Sequence, residues 1–221
     1  MNLNKMNIVV TGANGAMGSE LVKYFNGEVH YIIGSVRSLA NSMEINNGSA
    51  IFEMNLLDEY SIKQTLSAIR DKIGKIHAII NVAGGFSMGS HIEENNDLWN
   101  YMYNTNFITT LNVCRQALPI MKKNKFGKII NFGAQAAKQS MPLAGPYCAS
   151  KAAVHALSQT IALETPSYIT CNAILPGIID TIKNRASMPD ANHKNWAKPS
   201  QICSIIENII TTSIDGELIS V

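Results

Sequence analysis

The chain has 221 residues, 46% of them hydrophobic and 15% charged, with a net charge of +2. That length suits one α/β domain with a sheet covered on both faces. The small charge gives no electrostatic case for a nucleic-acid surface, no apolar run reaches the length of a membrane span, and no secretory core precedes the first strand, so a cytoplasmic location is expected.

The first element in chain order is the β-branched run "NIVV", which ends at Thr11. A loop, "TGANGAMG", leads to a helix that begins near Ala16 and puts Leu21, Val22 and Phe25 on one face. Strands follow at "HYIIGS" and "SAIFEMN", then a helix at "YSIKQTLSAIRDKI" with Ile62, Leu66, Ile69 and Ile73 at helical spacing. The fourth strand is "KIHAIINVAG", and the next helix, "TLNVCRQALPIM", aligns Leu111, Val113, Ala117, Leu118 and Met121. "GKIINFGA", the helical "AAVHALSQTIAL", "ITCNAILPG", the helical "QICSIIENII" and "GELISV" complete the chain. Near-continuous apolar strands imply a sheet buried on both faces, hence parallel. Their alternation with helices predicts a single Rossmann-like, doubly wound α/β sheet of about seven strands flanked by helices. No linker or repeat divides residues 1–221, and the irregular stretch 181–199 is expected to be a substrate-side lid within the one domain. Cys114, Cys148, Cys171 and Cys203 show no ligand spacing, so no metal is expected and free buried thiols are.

The loop carries Gly12, Gly15 and Gly18, with Asn14, Ala16 and Met17 completing it. A helix N-terminus offers unpaired N–H groups and a partial positive charge, which suit a diphosphate. The first glycine permits the tight turn, the second lets phosphate approach the backbone, and the third lets helix and strand pack closely. A dinucleotide site that takes NAD(H) carries an acid at the end of the second strand. Here Val29 to Ala40 hold no Asp or Glu, but Arg37 is present, with Ser35 and Ser38 beside it. A guanidinium grips a 2′-phosphate through two hydrogen bonds, so NADP(H) is favoured and NAD(H) left open.

"GPYCASKAAVHALSQTIALE" contains Tyr147 and Lys151 as YxxxK. With "TGANGAMG", "NVAGG" (Asn81 to Gly85), "NTNF" with Asn106 and "PGIIDT" (Pro176 to Thr181) in that order, the chain resembles the short-chain dehydrogenase/reductases over nearly all its length. The resemblance implies hydride transfer between a nicotinamide and a small carbonyl or imine substrate. It implies Tyr147 as general acid, Lys151 as its partner and holder of the nicotinamide ribose, and Asn106 as the residue that positions a relay water. It places Asn55 and Leu56 at adenine, Asn81, Ala83 and Gly84 behind the adenosine ribose, and Pro176, Gly177, Ile179 and Thr181 at the nicotinamide carboxamide. A homodimer or homotetramer is implied as well. The chemistry agrees: residues four apart share a helix face, and a nearby ammonium together with a cationic nicotinamide is expected to lower a phenol from near 10 toward the working range.

One position departs from that pattern. Ala134 stands where most members carry a serine as second donor to the reacting oxygen. Gln135 or Ser140 is a possible substitute, an intrinsically reactive substrate needs none, and a cofactor-binding protein with weak or no turnover is the remaining alternative. Within the family, "HAIINVAGG", "GAQAAKQ" and "DTIKNRASMP" give a partial resemblance to the dihydropteridine reductases, which lack the serine and keep the Tyr/Lys pair. Those carry an acid after the second strand, prefer NADH and lack the relay asparagine, unlike this chain. Phe86, Met88 and His91 are candidates for the substrate wall, and Trp196, with Met188, for a lid over a flat ring or an anchor for its loop. His155 reads as a packed rather than a catalytic histidine, His77 as solvated, and Lys122 to Lys128 as a solvated helix end.

Overall fold

The computed structural model describes residues 2–38, 49–88 and 96–221. Seven parallel strands form one sheet in the order β3-β2-β1-β4-β5-β6-β7. They are β1 (Asn7–Thr11), β2 (Tyr31–Val36), β3 (Ser49–Glu53), β4 (Ala78–Asn81), β5 (Gly127–Phe132), β6 (Ile169–Leu175) and β7 (Leu218–Ser220). Each central strand is buried along its whole length, as its unbroken apolar run predicts.

Alternate residues of β1 feed two cores. Ile8 and Val10 pack with α1 (Ala16–Phe25) and α7 (Pro199–Thr211) through Leu21, Phe25, Ile206 and Ile210. Val9 points to the other face, where α2 (Glu59–Ile73), α4 (Thr109–Asn124) and α5 (Gly145–Glu164) bring Leu66, Val113 and Ile161. The start of α2 is set by Asp58, whose carboxylate accepts the Tyr60 N–H at 2.9 Å. The four cysteines are free and buried.

Some expectations fail. A helix, α3 (Asn96–Tyr103), continues through a π turn at Asn104–Ile108 into α4. Its asparagines are weak helix formers, and no clean apolar stripe announces it. The stretch 181–199 holds α6 (Ile182–Ser187) and a short 3₁₀ turn (His193–Asn195). His77 is buried rather than solvated: its Nδ1 accepts the Asn7 N–H at 2.9 Å, so the backbone donor at the start of β1 finds its partner there. Lys128 is also buried, with Nζ donating to Thr212 O at 2.6 Å and its stem carried past Phe126. No helix among the described residues is long and apolar enough to cross a membrane.

Candidate active site

Strand order reverses between β1 and β4, so the connections leave their C-terminal ends in opposite directions and open a crevice. The chain leaves β1 at Gly12, which has φ +67°, and a Cβ there would come 3.0 Å from Ala83 Cα. Only glycine suits both the left-handed turn and that approach. At Gly18 a Cβ would lie 2.8 Å from the Gly12 carbonyl carbon, so α1 rests directly on the loop. Thr11 Oγ1 accepts the N–H groups of Val82 and Ala83 at 3.1 and 3.2 Å, which ties the exit of β4 to that of β1.

The crevice has a volume of about 490 Å³. It gathers Gly12, Asn14, Gly15, Ala16, Met17 and Gly18 with Ser35 and Arg37 at the end of β2, Asn55 and Leu56 after β3, and Ala83 and Gly84 after β4. Among the described residues that line it, none carries a carboxylate side chain. Arg37 is exposed, whereas the Ser35 hydroxyl is buried and finds no hydrogen-bond partner. Asn55 Oδ1 accepts the Leu57 N–H at 3.1 Å, fixing the amide at the rim. Thr105 and Thr109 also line the crevice and escaped the sequence reading. They lie one turn apart about Asn106, a spacing that puts both hydroxyl-bearing residues on one face. Asn81 instead points into the sheet, donating to Asn131 Oδ1 at 2.8 Å.

At the inner end of the crevice, Gly84 meets α5: a Cβ on it would come 3.4 Å from Lys151 Nζ and 2.7 Å from Asn106 Oδ1. Lys151 is buried and donates to Phe132 O at 2.6 Å. Tyr147, one turn earlier, is half-buried, with its ring in edge contact with Phe86 at 4.9 Å and 82°. Asn106 is fully buried in the π turn. Its Oδ1 accepts the Gly85 N–H at 2.9 Å, and its Nδ2 donates to Gly85 O at 3.1 Å and Ser150 Oγ at 3.0 Å. The Ser150 hydroxyl in turn donates to Tyr147 O at 2.8 Å. Three elements are thus clamped around the tyrosine: the loop after β4, the π turn and the start of α5.

A sequence profile of the short chain dehydrogenases matches residues 6–192. The chain belongs to the short chain dehydrogenase family. It is an NAD(P)-dependent oxidoreductase of that family. It is similar to a 3-ketodihydrosphingosine reductase of Bacteroides thetaiotaomicron, 28% identical over 79% of this chain and 64% of that protein, so it spans less than two thirds of this relative. A 3-oxoacyl-(acyl-carrier-protein) reductase of Vibrio harveyi is 29% identical over 86% of this chain and 80% of its own length. An NADPH-dependent pterin aldehyde reductase of Arabidopsis thaliana is 27% identical over 79% and 75%. The fold is that of a short-chain dehydrogenase/reductase from Mycobacterium ulcerans, with a TM-score of 0.91 at 18% identity over 100% of this chain and 90% of that one.

In this short chain dehydrogenase the expected lowering of the Tyr147 phenol by Lys151 is absent from the chain on its own. Burial pushes Tyr147 up to about 12 and Lys151 down to about 8. Desolvation disfavours both charged forms, and the ammonium is turned to the Phe132 carbonyl. Ala134 is buried and offers only its N–H, which His155 Nε2 accepts at 3.2 Å. Gln135 Nε2 donates to Val221 O at 2.9 Å, and its backbone N–H to the carbonyl of buried Pro176 at 3.0 Å, beside Gly177. Ile179 pairs with Ala197 in an isolated parallel bridge, and Thr181 Oγ1 caps α6 by accepting the Asn184 N–H at 3.2 Å. Trp196, only 7% exposed, packs its ring on His193 and anchors the stretch between them and α7. Phe86 and Met88 are exposed, and His91 lies outside the described residues.

Proposed function

We propose that this enzyme is an NADPH-dependent reductase that passes hydride to a carbonyl or imine carbon, with Tyr147 as the proton donor. The observation that carries the cofactor reading is the end of β2, where Arg37 and the buried, unpartnered Ser35 hydroxyl open on a crevice with no carboxylate among its described lining residues. A 2′-phosphate would find a guanidinium and a hydroxyl there, while a ribose diol would find no carboxylate acceptor among the described residues. Bound in the crevice, NADPH would supply the hydride. Its diphosphate would be held by the loop N–H groups at the start of α1, the adenine by Asn55 and Leu56, and the carboxamide by the segment from Pro176 to Thr181.

Tyr147 is protonated at neutral pH, as any phenol near 10 is, and burial pushes it further up, to about 12. It is therefore ready to give its proton to the substrate oxygen or nitrogen as negative charge develops there. Lys151, near 8, carries an ammonium at neutral pH that favours the phenolate left behind. Asn106 and Ser150 hold Gly85 and the start of α5 in register, which fixes the approach to Tyr147. We read residues 1–221 as one domain with 181–199 as its substrate-side cover, assembled as a homodimer or homotetramer.

Ala134 favours an electrophile that needs no second side-chain donor. A quinonoid dihydropterin, already electron-poor, is the sharpest candidate, and the likeness to a pterin aldehyde reductase supports that chemical class. The same alanine favours the second reading, a cofactor-binding protein with little turnover, because one lost donor costs about 10²- to 10³-fold in rate. The test follows absorbance at the reduced nicotinamide band with quinonoid dihydropterin and NADPH or NADH, uncatalysed reduction subtracted and Tyr147→Phe run alongside. The proposal requires turnover faster with NADPH and abolished in Tyr147→Phe, which still binds NADPH. Binding of NADPH without turnover would leave the second reading.

A further inference from the structure

We propose that His155 is a positioning residue for the Tyr147–Lys151 pair, holding the exit of β5 against α5 by accepting the Ala134 N–H. His155 lies one turn beyond Lys151 and two beyond Tyr147, in a single stripe along α5. Lys151 Nζ grips Phe132 O, and His155 Nε2 accepts the Ala134 N–H. Between them, the Gly133 N–H donates to Ile174 O at 2.8 Å on β6. Three consecutive backbone groups at the strand exit are therefore fixed by three partners. Any displacement of that exit moves the carbonyl on which the ammonium rests.

The residue types are matched to this task. A Cβ at Gly133 would overlap His155 Nε2, so glycine makes room for the ring. An aliphatic side chain at 155 would fill the space but leave a buried N–H without an acceptor. The ring must also be neutral to accept. Burial, with Lys138 and Lys151 nearby, holds His155 down at about 4, so Nε2 keeps its lone pair and the proton sits on Nδ1. His155 acts through Lys151 and the strand exit and does not touch the substrate.

The link to turnover rests on the reading of Tyr147 and Lys151 as the catalytic pair; the hold on Ala134 does not. The test compares the full chain with His155→Leu, His155→Gln and Gly133→Ala by NMR and kinetics. Glutamine can accept at about the same reach, leucine cannot accept, and alanine at 133 pushes the intact ring away. His155→Leu and Gly133→Ala are expected to speed Ala134 amide exchange about tenfold or more and to shift the Lys151 ammonium titration. With quinonoid dihydropterin and NADPH, kcat should fall about ten- to a hundredfold while KM stays within about threefold. His155→Gln should return all three readouts close to wild type. Unchanged Ala134 exchange in His155→Leu, or equal losses in the leucine and glutamine variants, would overturn the proposal. If Tyr147→Phe keeps wild-type turnover, or the wild type shows none, the catalytic reading fails, and the exchange and titration readouts still decide the role of His155.

Discussion

Two of the loop glycines, Gly15 and Gly18, make different demands, and substituting each by alanine separates them. At Gly18 the added Cβ meets the Gly12 carbonyl group and comes 3.0 Å from Ala13 Cα, all backbone that cannot swing away. Overpacking of this kind costs about 1–3 kcal/mol, and rigid backbone puts it at the upper end. Alanine returns up to about 1 kcal/mol of helix propensity, for a net loss of about 2 kcal/mol. In a chain of this size that lowers the melting temperature by about 4–8 °C. At Gly15 the backbone has φ −77° and the Cβ would meet only Gly12 O, at 3.2 Å, so stability should change by less than about 1 kcal/mol. Yet its methyl group would stand where a phosphate must approach, so NADPH binding should weaken about tenfold or more. Urea unfolding without cofactor, paired with NADPH fluorescence titration, reads both quantities. A Gly18→Ala variant as stable as wild type, or a Gly15→Ala variant that binds NADPH normally, would refute the reasoning.

Arg37→Ala should raise the NADPH dissociation constant about 10- to 100-fold and leave NADH nearly unchanged; equal losses in titrations of both cofactors would remove Arg37 as the phosphate reader. Lys151 is held at about 8 against an ordinary 10.5, so its contribution to stability is present above pH 10.5 and lost as pH falls through 8. Urea melts should therefore show the wild type gaining on Lys151→Met between pH 8 and 10, and a pH-independent gap would contradict the depressed value. His77→Leu leaves the buried Asn7 N–H unpaired and should cost about 1–3 kcal/mol in the same assay, with no loss meaning that the bond is dispensable.

Period and composition carried the fold a long way. Short β-branched apolar runs such as "AII" in β4, set between helical stretches, read as interior parallel strands, and three- and four-residue spacing marked α1, α2, α4 and α7. The glycine loop and Arg37 were legible because their chemistry is local to one strand end. Thr105 and Thr109 were not, since they reach the crevice only through the packing of α4 beside β4. Nor were His77 and Lys128: their polarity reads as solvent exposure until Asn7 and Thr212 arrive from distant parts of the chain. The Tyr147–Lys151 pair shows the same limit in the chain on its own, where burial raises the phenol and lowers the ammonium. Spacing shows that the two are neighbours, but burial, which sequence does not give, sets the sign of the shift.

That sign bears on the direction of the chemistry. An enzyme that oxidises an alcohol must first hold a base, and a phenol near 12 is ionised in only a minute fraction at neutral pH. A reduction needs the acid form, which any phenol holds at neutral pH, and burial shifts Tyr147 further toward it. The Phe86 ring lies on one edge of Tyr147, and the Asn106–Gly85 clamp ties down the loop that carries Phe86. Lys151, near 8, remains charged enough at neutral pH to favour the phenolate once the proton has left, yet pays a desolvation cost that a nearby hydroxyl or anion would relieve. On the proposed reading of Tyr147 as proton donor, the absence of a hydroxyl at Ala134 leaves it as the side chain from which a bound oxygen or nitrogen would draw the proton.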